Sequence, residues 1–181
     1  MKIVIVGPGA MGCLLAHYLS KSKEELWILD NEKERAAKIN QSGISVEGIS
    51  GKNQVKIKAT TDAGEIGPAD LVIICVKSYD TKEALKCIRA LISTHTSVLT
   101  LQNGIGNIEI ISEIVGADKV VGGVTSEGAT LLDTNKIRHA GKGETIIGRI
   151  DGTIPVEMRY VREIFNKVGS LIRWIALTTA S

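Results

Sequence analysis

Aromatic residues make up only 3 % of this 181-residue chain, and a single Phe is present. A core built around large rings is therefore excluded. With 44 % hydrophobic residues a full core is still available, built mostly from Ile, Val, Leu and Ala. Cysteine is just as sparse. Cys13, Cys75 and Cys87 show no metal-ligand spacing, so packing is the preferred role for Cys13 and Cys75, and no metal site is expected. No apolar run reaches the roughly 18 residues that a membrane-crossing helix needs, so no membrane partner is expected. Charge of one sign is also missing: the formal net charge is +2, and no Lys/Arg run is long enough for a nucleic-acid surface. Met1-Lys2 leads directly into a strand pattern with no signal peptide, and a reducing cytoplasm is the expected compartment.

What is present begins at once. Ile3, Val4, Ile5 and Val6 form a β-branched apolar run that suits a strand buried on both faces. Gly7, Pro8, Gly9, Ala10, Met11 and Gly12 follow, and a helical pattern starts within them. In this G-x-G-x-x-G the first glycine permits the tight turn, the second lets a pyrophosphate approach the backbone, and the third lets helix and strand pack closely. A second strand, Leu26 to Leu29, ends in Asp30, 18 residues beyond Gly12. That is close to the spacing of an acid that binds the ribose hydroxyls of a dinucleotide. Asp30 at the start of the next helix also suits a plain helix cap.

Further along, the pattern predicts helices over 10–20, 32–42, 80–92, 107–115 and 155–168. Ala36, Ala37 and Ile39 are the expected inner side of the second helix, with Gly43 closing it. Strands are expected over Leu71 to Val76, Ser97 to Leu101, Val120 to Thr125 and Leu171 to Ile175. Ile44 to Thr60 alternates around Gly48 and Gly51, as a hairpin or a pair of short strands would. Residues 130–148 alternate around Asp133-Thr134-Asn135, which predicts a short antiparallel excursion. Strand–helix alternation argues an α/β fold: a Rossmann-type, doubly wound, mostly parallel sheet. Ligands sit beyond the carboxyl ends of such strands. There the chain places Gly7 to Gly12, Asp30-Asn31, Lys77-Ser78 and Gln102-Asn103-Gly104.

Several stretches together resemble the ketopantoate reductase family, the 2-dehydropantoate 2-reductases. They are the opening K-I-V-I-V-G-P-G-A-M-G, then I-C-V-K-S-Y with Lys77, L-Q-N-G-I-G with Asn103, G-V-T-S-E-G-A-T-L ending at Leu131, and R-H-A-G-K-G-E-T-I-I-G from Arg138 to Gly148. The resemblance implies an NADPH-dependent oxidoreductase that reduces 2-dehydropantoate to pantoate, toward pantothenate and coenzyme A. It implies supporting catalytic roles for Lys77 and Asn103 near nicotinamide and substrate, and a backbone contact to the cofactor at Ala129. Glu127 stands where many members have histidine.

Two departures matter. The family's catalytic lysine lies in a W-x-K-L-like stretch opening a helical second domain, and no such stretch occurs before Ser181. The expectation is therefore an NAD(P)-binding domain over 1–168, with 169–181 as a last strand and the start of a connection. The main catalytic lysine would lie beyond Ser181, and this piece alone would be inactive. The second departure is at the end of strand two, where NADPH-using members usually carry arginine and this chain has Asn31 after Asp30. A carboxylate there repels a 2′-phosphate, although Lys33 or Arg35 could reach one, so NADP ranks only slightly ahead of NAD. The cofactor-binding candidates are thus Gly7 to Gly12, Asp30, Asn31, Lys77, Asn103 and Ala129. The expected partner is a small 2-keto acid, with a homodimer among the expected assemblies. A dinucleotide sensor without turnover, and a reductase of another 2-keto or 3-hydroxy acid, are the alternatives.

Overall fold

A computed structural model describes residues 1–102, 106–149 and 151–175. In chain order, β1 (Lys2–Val6) leads into α1 (Ala10–Leu19), and β2 (Glu25–Leu29) into α2 (Lys33–Ser42). Three short strands follow: β3 (Ile44–Gly48), β4 (Asn53–Val55) and β5 (Lys58–Thr60). Then come α3 (Ala63–Ile66), β6 (Leu71–Ile74), α4 (Thr81–Cys87), β7 (Ser97–Thr100), α5 (Asn107–Val115) and β8 (Val120–Thr125). The remainder is β9 (Gly128–Asp133), β10 (Lys136–Gly141), β11 (Glu144–Gly148), α6 (Val156–Lys167) and β12 (Leu171–Trp174).

Among the described residues the main sheet has the order β12-β11-β8-β7-β6-β1-β2-β5. It is parallel throughout except where β11 runs antiparallel to β8. The alternation along β1 explains its unbroken apolar run. Ile3 and Ile5 join a core shared with α1, α2 and α6, while Val4 and Val6 join a second core shared with α3, α4 and α5. All of Ile3, Val4 and Ile5 are fully buried, and each such side chain contributes roughly 1.5–3 kcal/mol over leaving it in water. This is the doubly wound sheet the sequence predicts.

The hairpin region divides between two sheets. β3 and β4 pair antiparallel as expected, but β5 leaves them and pairs parallel with β2 at the edge of the main sheet. The excursion also reaches further than expected. β9 and β10 pair antiparallel, and β10 then lies parallel to β3, giving a second sheet ordered β4-β3-β10-β9. β11 returns to the main sheet instead of staying with β10.

This second sheet explains why α1 is buried on nearly every side. Residues Gly12 to Leu19 are all buried, including His17. One face of α1 meets the main sheet, and β9, β10 and β3 lie across the rest. α2 is an ordinary surface helix, with Ala36 and Ile39 buried but Ala37 exposed, against expectation. Gly43 ends it at φ +72°, with its amide bonded to the Ile39 carbonyl. The helix expected over 80–92 is α4 between two 3-10 turns, Ser78–Asp80 before it and Ile88–Leu91 after it.

Candidate functional site

Parallel order reverses between β1 and β6, since the chain goes from β1 to β2 on one side and returns to β6 on the other. A crevice at the strand ends follows from that reversal. The glycine turn sits in it. Gly7 has φ +92°, and a Cβ there would lie 2.7 Å from Val76 Cγ1, so the turn is pressed against the loop leaving β6. A Cβ on Gly12 would collide with the Gly7 carbonyl oxygen. At Gly9 nothing lies within 4 Å of where a Cβ would point. The turn is thus packed behind and open in front, the arrangement a pyrophosphate requires.

The helix behind the turn is prepared for an anion. Gly9 is the N-cap of α1, no side chain caps the helix, and its first turn carries no acidic residue. Cys13 N donates to the Gly9 carbonyl at 2.9 Å as the first intrahelical bond, leaving the earlier amides of the turn directed outward. Pro8 is buried, Ala10 and Met11 are half-buried, and the Cys13 thiol donates to the Pro8 carbonyl at 3.3 Å. Burial pushes the Cys13 and Cys75 thiols up to about 12, so both remain neutral packing groups.

At the end of β2, Asp30 is paired within the protein. Its side chain is fully buried. Oδ1 accepts from the Asn31 amide at 2.7 Å, the Glu32 amide at 3.2 Å and Arg35 Nη2 at 2.5 Å, while Oδ2 accepts from Arg35 Nε at 2.6 Å. The pairing raises the Arg35 pKa further. The carboxylate therefore holds the turn that leads into α2 and clamps Arg35 bidentately, while the helix itself has no side-chain cap. Asn31 and Lys33 are exposed beside it.

Across the crevice, a groove of about 400 Å³ is lined by Met11, Cys75, Lys77, Tyr79, Leu101 and Gln102, among others. Lys77 is exposed, its ammonium lies 5.7 Å from the centre of the Tyr79 ring, and contact with the Tyr79 hydroxyl raises its pKa. Lys77 is a cation at any pH near neutrality. Gln102 closes the floor: its Nε2 donates to the Val76 carbonyl at 2.7 Å and to Thr81 Oγ1 at 2.8 Å. The strand ends thus bring together the glycine turn, the Lys77 loop and Gln102. Ala129 stands on β9 opposite His139, against α1. Asn103 lies outside the described residues.

One buried cluster has no local signature in the sequence. Glu127 accepts from the Tyr18 hydroxyl at 3.1 Å and lies 2.9 Å from His139 Nε2. His139 Nδ1 is 2.5 Å from Ser50 Oγ. Nε2 faces only acceptors, Glu127 and the Gly141 carbonyl at 3.0 Å, so it carries a proton. Ser50, His139 and Glu127 are apart in sequence; the pairing of β9 with β10 brings Glu127 to His139, and the pairing of β10 with β3 brings Ser50.

The ketopantoate reductase PanE/ApbA family model matches residues 3–152. The chain belongs to the ketopantoate reductase family. The 2-dehydropantoate 2-reductase of Pyrococcus abyssi is 37 % identical, over 97 % of this chain and 59 % of that protein. The enzyme of the same name from Halobacterium salinarum is 35 % identical, over 93 % of this chain and 56 % of that protein. The chain thus spans little more than half the length of these curated relatives. Among solved structures, 2-dehydropantoate 2-reductase from Geobacter metallireducens superposes with a TM-score of 0.90 at 29 % identity, covering 97 % of this chain and 58 % of that one. A D-mandelate dehydrogenase solved with NADH and anilino(oxo)acetate gives a TM-score of 0.87 at 25 % identity, covering 96 % of this chain and 56 % of that one. The opening turn, the Lys77 loop and, of the L-Q-N-G-I-G segment, Leu101, Gln102 and Gly106 fall within described parts of the match. Among the described residues no cluster of His, Cys, Asp or Glu could hold a metal ion, and no helix is long and apolar enough to cross a membrane.

Proposed function

We propose that this chain forms the NAD(P)H-binding part of a reductase that converts 2-dehydropantoate to pantoate. The observation that carries this reading is the glycine turn, open at Gly9 and uncapped by any side chain, facing the Lys77 loop across the point where strand order reverses. When bound, the nicotinamide supplies the hydride. The amides at the start of α1 hold the pyrophosphate, and the groove beside Met11 and Leu101 excludes water from one face of the ring. Lys77 offers a fixed positive charge to the carboxylate or keto oxygen of a 2-keto acid. The family resemblance assigns proton donation to a further lysine, of the W-x-K-L type, that the described residues do not contain. Three free thiols, Cys13, Cys75 and Cys87, suit a reducing cytoplasm.

For the cofactor we place NADP ahead of NAD. Asp30 would oppose a 2′-phosphate only as an unpaired, facing carboxylate, and it is neither: Arg35 neutralises it and the fold buries it. Exposed Lys33 then adds a cation at that end of β2. A second reading, an NADH-dependent reductase for another 2-keto acid, is favoured by the likeness to the D-mandelate dehydrogenase with NADH. Calorimetric titration of the chain with NADPH and NADH at one ionic strength tests both. Asn31→Arg adds a guanidinium at the cost of the 3.3 Å bond that Arg35 Nη2 donates to Asn31 Oδ1, and leaves the two oxygens of Asp30 to Arg35. It should raise affinity for NADPH relative to NADH by about tenfold, since one charge-assisted hydrogen bond contributes roughly 1.5–3 kcal/mol. An unchanged ratio would remove this end of β2 from the ribose site, and absence of binding by either cofactor would end the dinucleotide reading altogether.

A further inference from the structure

We infer that Gln102 is the positioning residue of the nicotinamide end of the site: its side-chain amide fixes the Lys77 loop against the end of β7, so that nicotinamide affinity depends on it and adenosine affinity does not. The inference rests on the dinucleotide reading above. It goes beyond that reading in naming a residue that would touch no part of the cofactor's adenosine half.

Gln102 stands two residues past β7, and its side chain reaches back to the loop that follows β6. The direction of the amide is settled by chemistry. The Val76 carbonyl can only accept, so the NH₂ group must face it, 2.7 Å away. The second NH₂ contact is Thr81 Oγ1 at 2.8 Å, and Oε1 accepts from Thr100 Oγ1 at 3.1 Å on its own strand end. Thr81 is fully buried and passes the chain on, donating to Asn107 Oδ1 at 3.4 Å, while Asn107 Nδ2 donates to Ser78 Oγ at 3.3 Å. Residues on both sides of Lys77 are therefore tied: Val76 through its carbonyl and Ser78 through its hydroxyl. Lys77 lies between these two ties; its own carbonyl accepts from Asp80 N at 2.8 Å, and its exposed ammonium contacts Tyr79.

The same residue has a second neighbour of interest, in sequence. Gln102 immediately precedes Asn103, to which the family resemblance gives a role beside Lys77. The phosphate turn has ties of its own: Gly7 N donates to the Leu29 carbonyl at 3.0 Å, and Cys75 N, one residue before Val76, donates to the Val6 carbonyl at 2.8 Å. Loss of the Gln102 amide frees the carbonyl side of Val76, toward Lys77, and leaves the Gly7 side in place.

The test compares two ligands on the 181-residue chain: NADPH, and 2′-phospho-ADP-ribose, which lacks the nicotinamide. Gln102→Glu keeps size and shape but cannot donate to the Val76 carbonyl. It should weaken NADPH by about fivefold to tenfold while leaving 2′-phospho-ADP-ribose within about twofold, the range expected for one or two lost hydrogen bonds. Gln102→Asn withdraws the amide by one methylene without adding charge and should give the same selective loss, so it serves if the glutamate variant does not fold. Thr81→Ser keeps the hydroxyl and should bind both ligands as wild type. A purely structural role would weaken both ligands together, and that result overturns the inference, as does wild-type NADPH affinity in Gln102→Asn. A wild-type chain that binds neither ligand overturns the dinucleotide reading and this inference with it. Binding of 2′-phospho-ADP-ribose with an indifferent Gln102 overturns this inference alone.

Discussion

Replacing Gly9 with valine should separate folding from binding. Gly9 has φ −71° and ψ −170°, extended backbone that any residue adopts, and nothing lies within 4 Å of its missing Cβ. The folded chain therefore has room for the new side chain and needs no special conformation from it. The stability change should stay within about 0.5 kcal/mol, as for surface substitutions generally. The space the isopropyl group fills is where a pyrophosphate must approach the amides of α1. Each charge-assisted bond lost there is worth roughly 1.5–3 kcal/mol, so exclusion from two amides should cost about 3 kcal/mol or more, over a hundredfold in affinity. Gly12→Ala is the opposite case: its Cβ meets the Gly7 carbonyl, so it should unfold the turn and lower the melting temperature. Calorimetric titration with NADPH and thermal unfolding of both variants form the assay. A Gly9→Val chain that binds NADPH as tightly as wild type would refute the placement of phosphate in this turn. One that loses several degrees of melting temperature would refute the claim that the turn is open there.

His17 is buried with neither ring nitrogen hydrogen-bonded, and burial lowers its pKa from 6.5 to about 4. It is neutral when folded and protonated when unfolded between those values, so stability should fall as pH drops through that window, by about 2 kcal/mol near pH 5. Urea unfolding of His17→Leu should show that part of the acid sensitivity gone, and an unchanged wild-type-minus-variant difference between neutral pH and about pH 5 would contradict it. Glu127→Leu strands the Tyr18 hydroxyl and removes the anion beside His139, and it should cost about 3 kcal/mol with an unchanged urea m-value. A loss under about 1 kcal/mol would show that the pair contributes little to stability.

The main sheet was legible because its signals are local. The β-branched runs at Ile3–Val6 and Leu71–Ile74, the glycines after the first, and the amphipathic spacing of α5 each sit within one element. What escaped is set by pairing between distant segments. Lys58–Thr60 reads as part of a hairpin, yet it is drawn to the free edge of β2, where Asp30 N also bonds the Thr60 carbonyl. Asp30 itself shows the limit for sites. Its position after the second strand matches a ribose acid, and spacing alone did not show that Arg35, in the first turn of the following helix, donates to both of its oxygens. α3 is too short to show a period, though Asp62, whose carboxylate accepts from the Gly64 amide at 2.7 Å, was a readable cap. The Tyr18–Glu127–His139–Ser50 cluster could be read only once β9 and β10 lay across α1 and β10 lay beside β3.

That pairing also orders events in time. The outer wall of α1 is assembled from Ile44–Val55 and Gly128–Gly141, segments some 90 residues apart in the chain. Contacts of such long sequence separation form late, and a chain leaving the ribosome has no β10 to offer until Gly141 has emerged. Until then α1 carries an apolar flank, with Leu15, Tyr18 and Leu19 only partly covered, directly behind the glycine turn. The first half of the chain therefore depends on the second for the cover of the helix that carries its glycine turn.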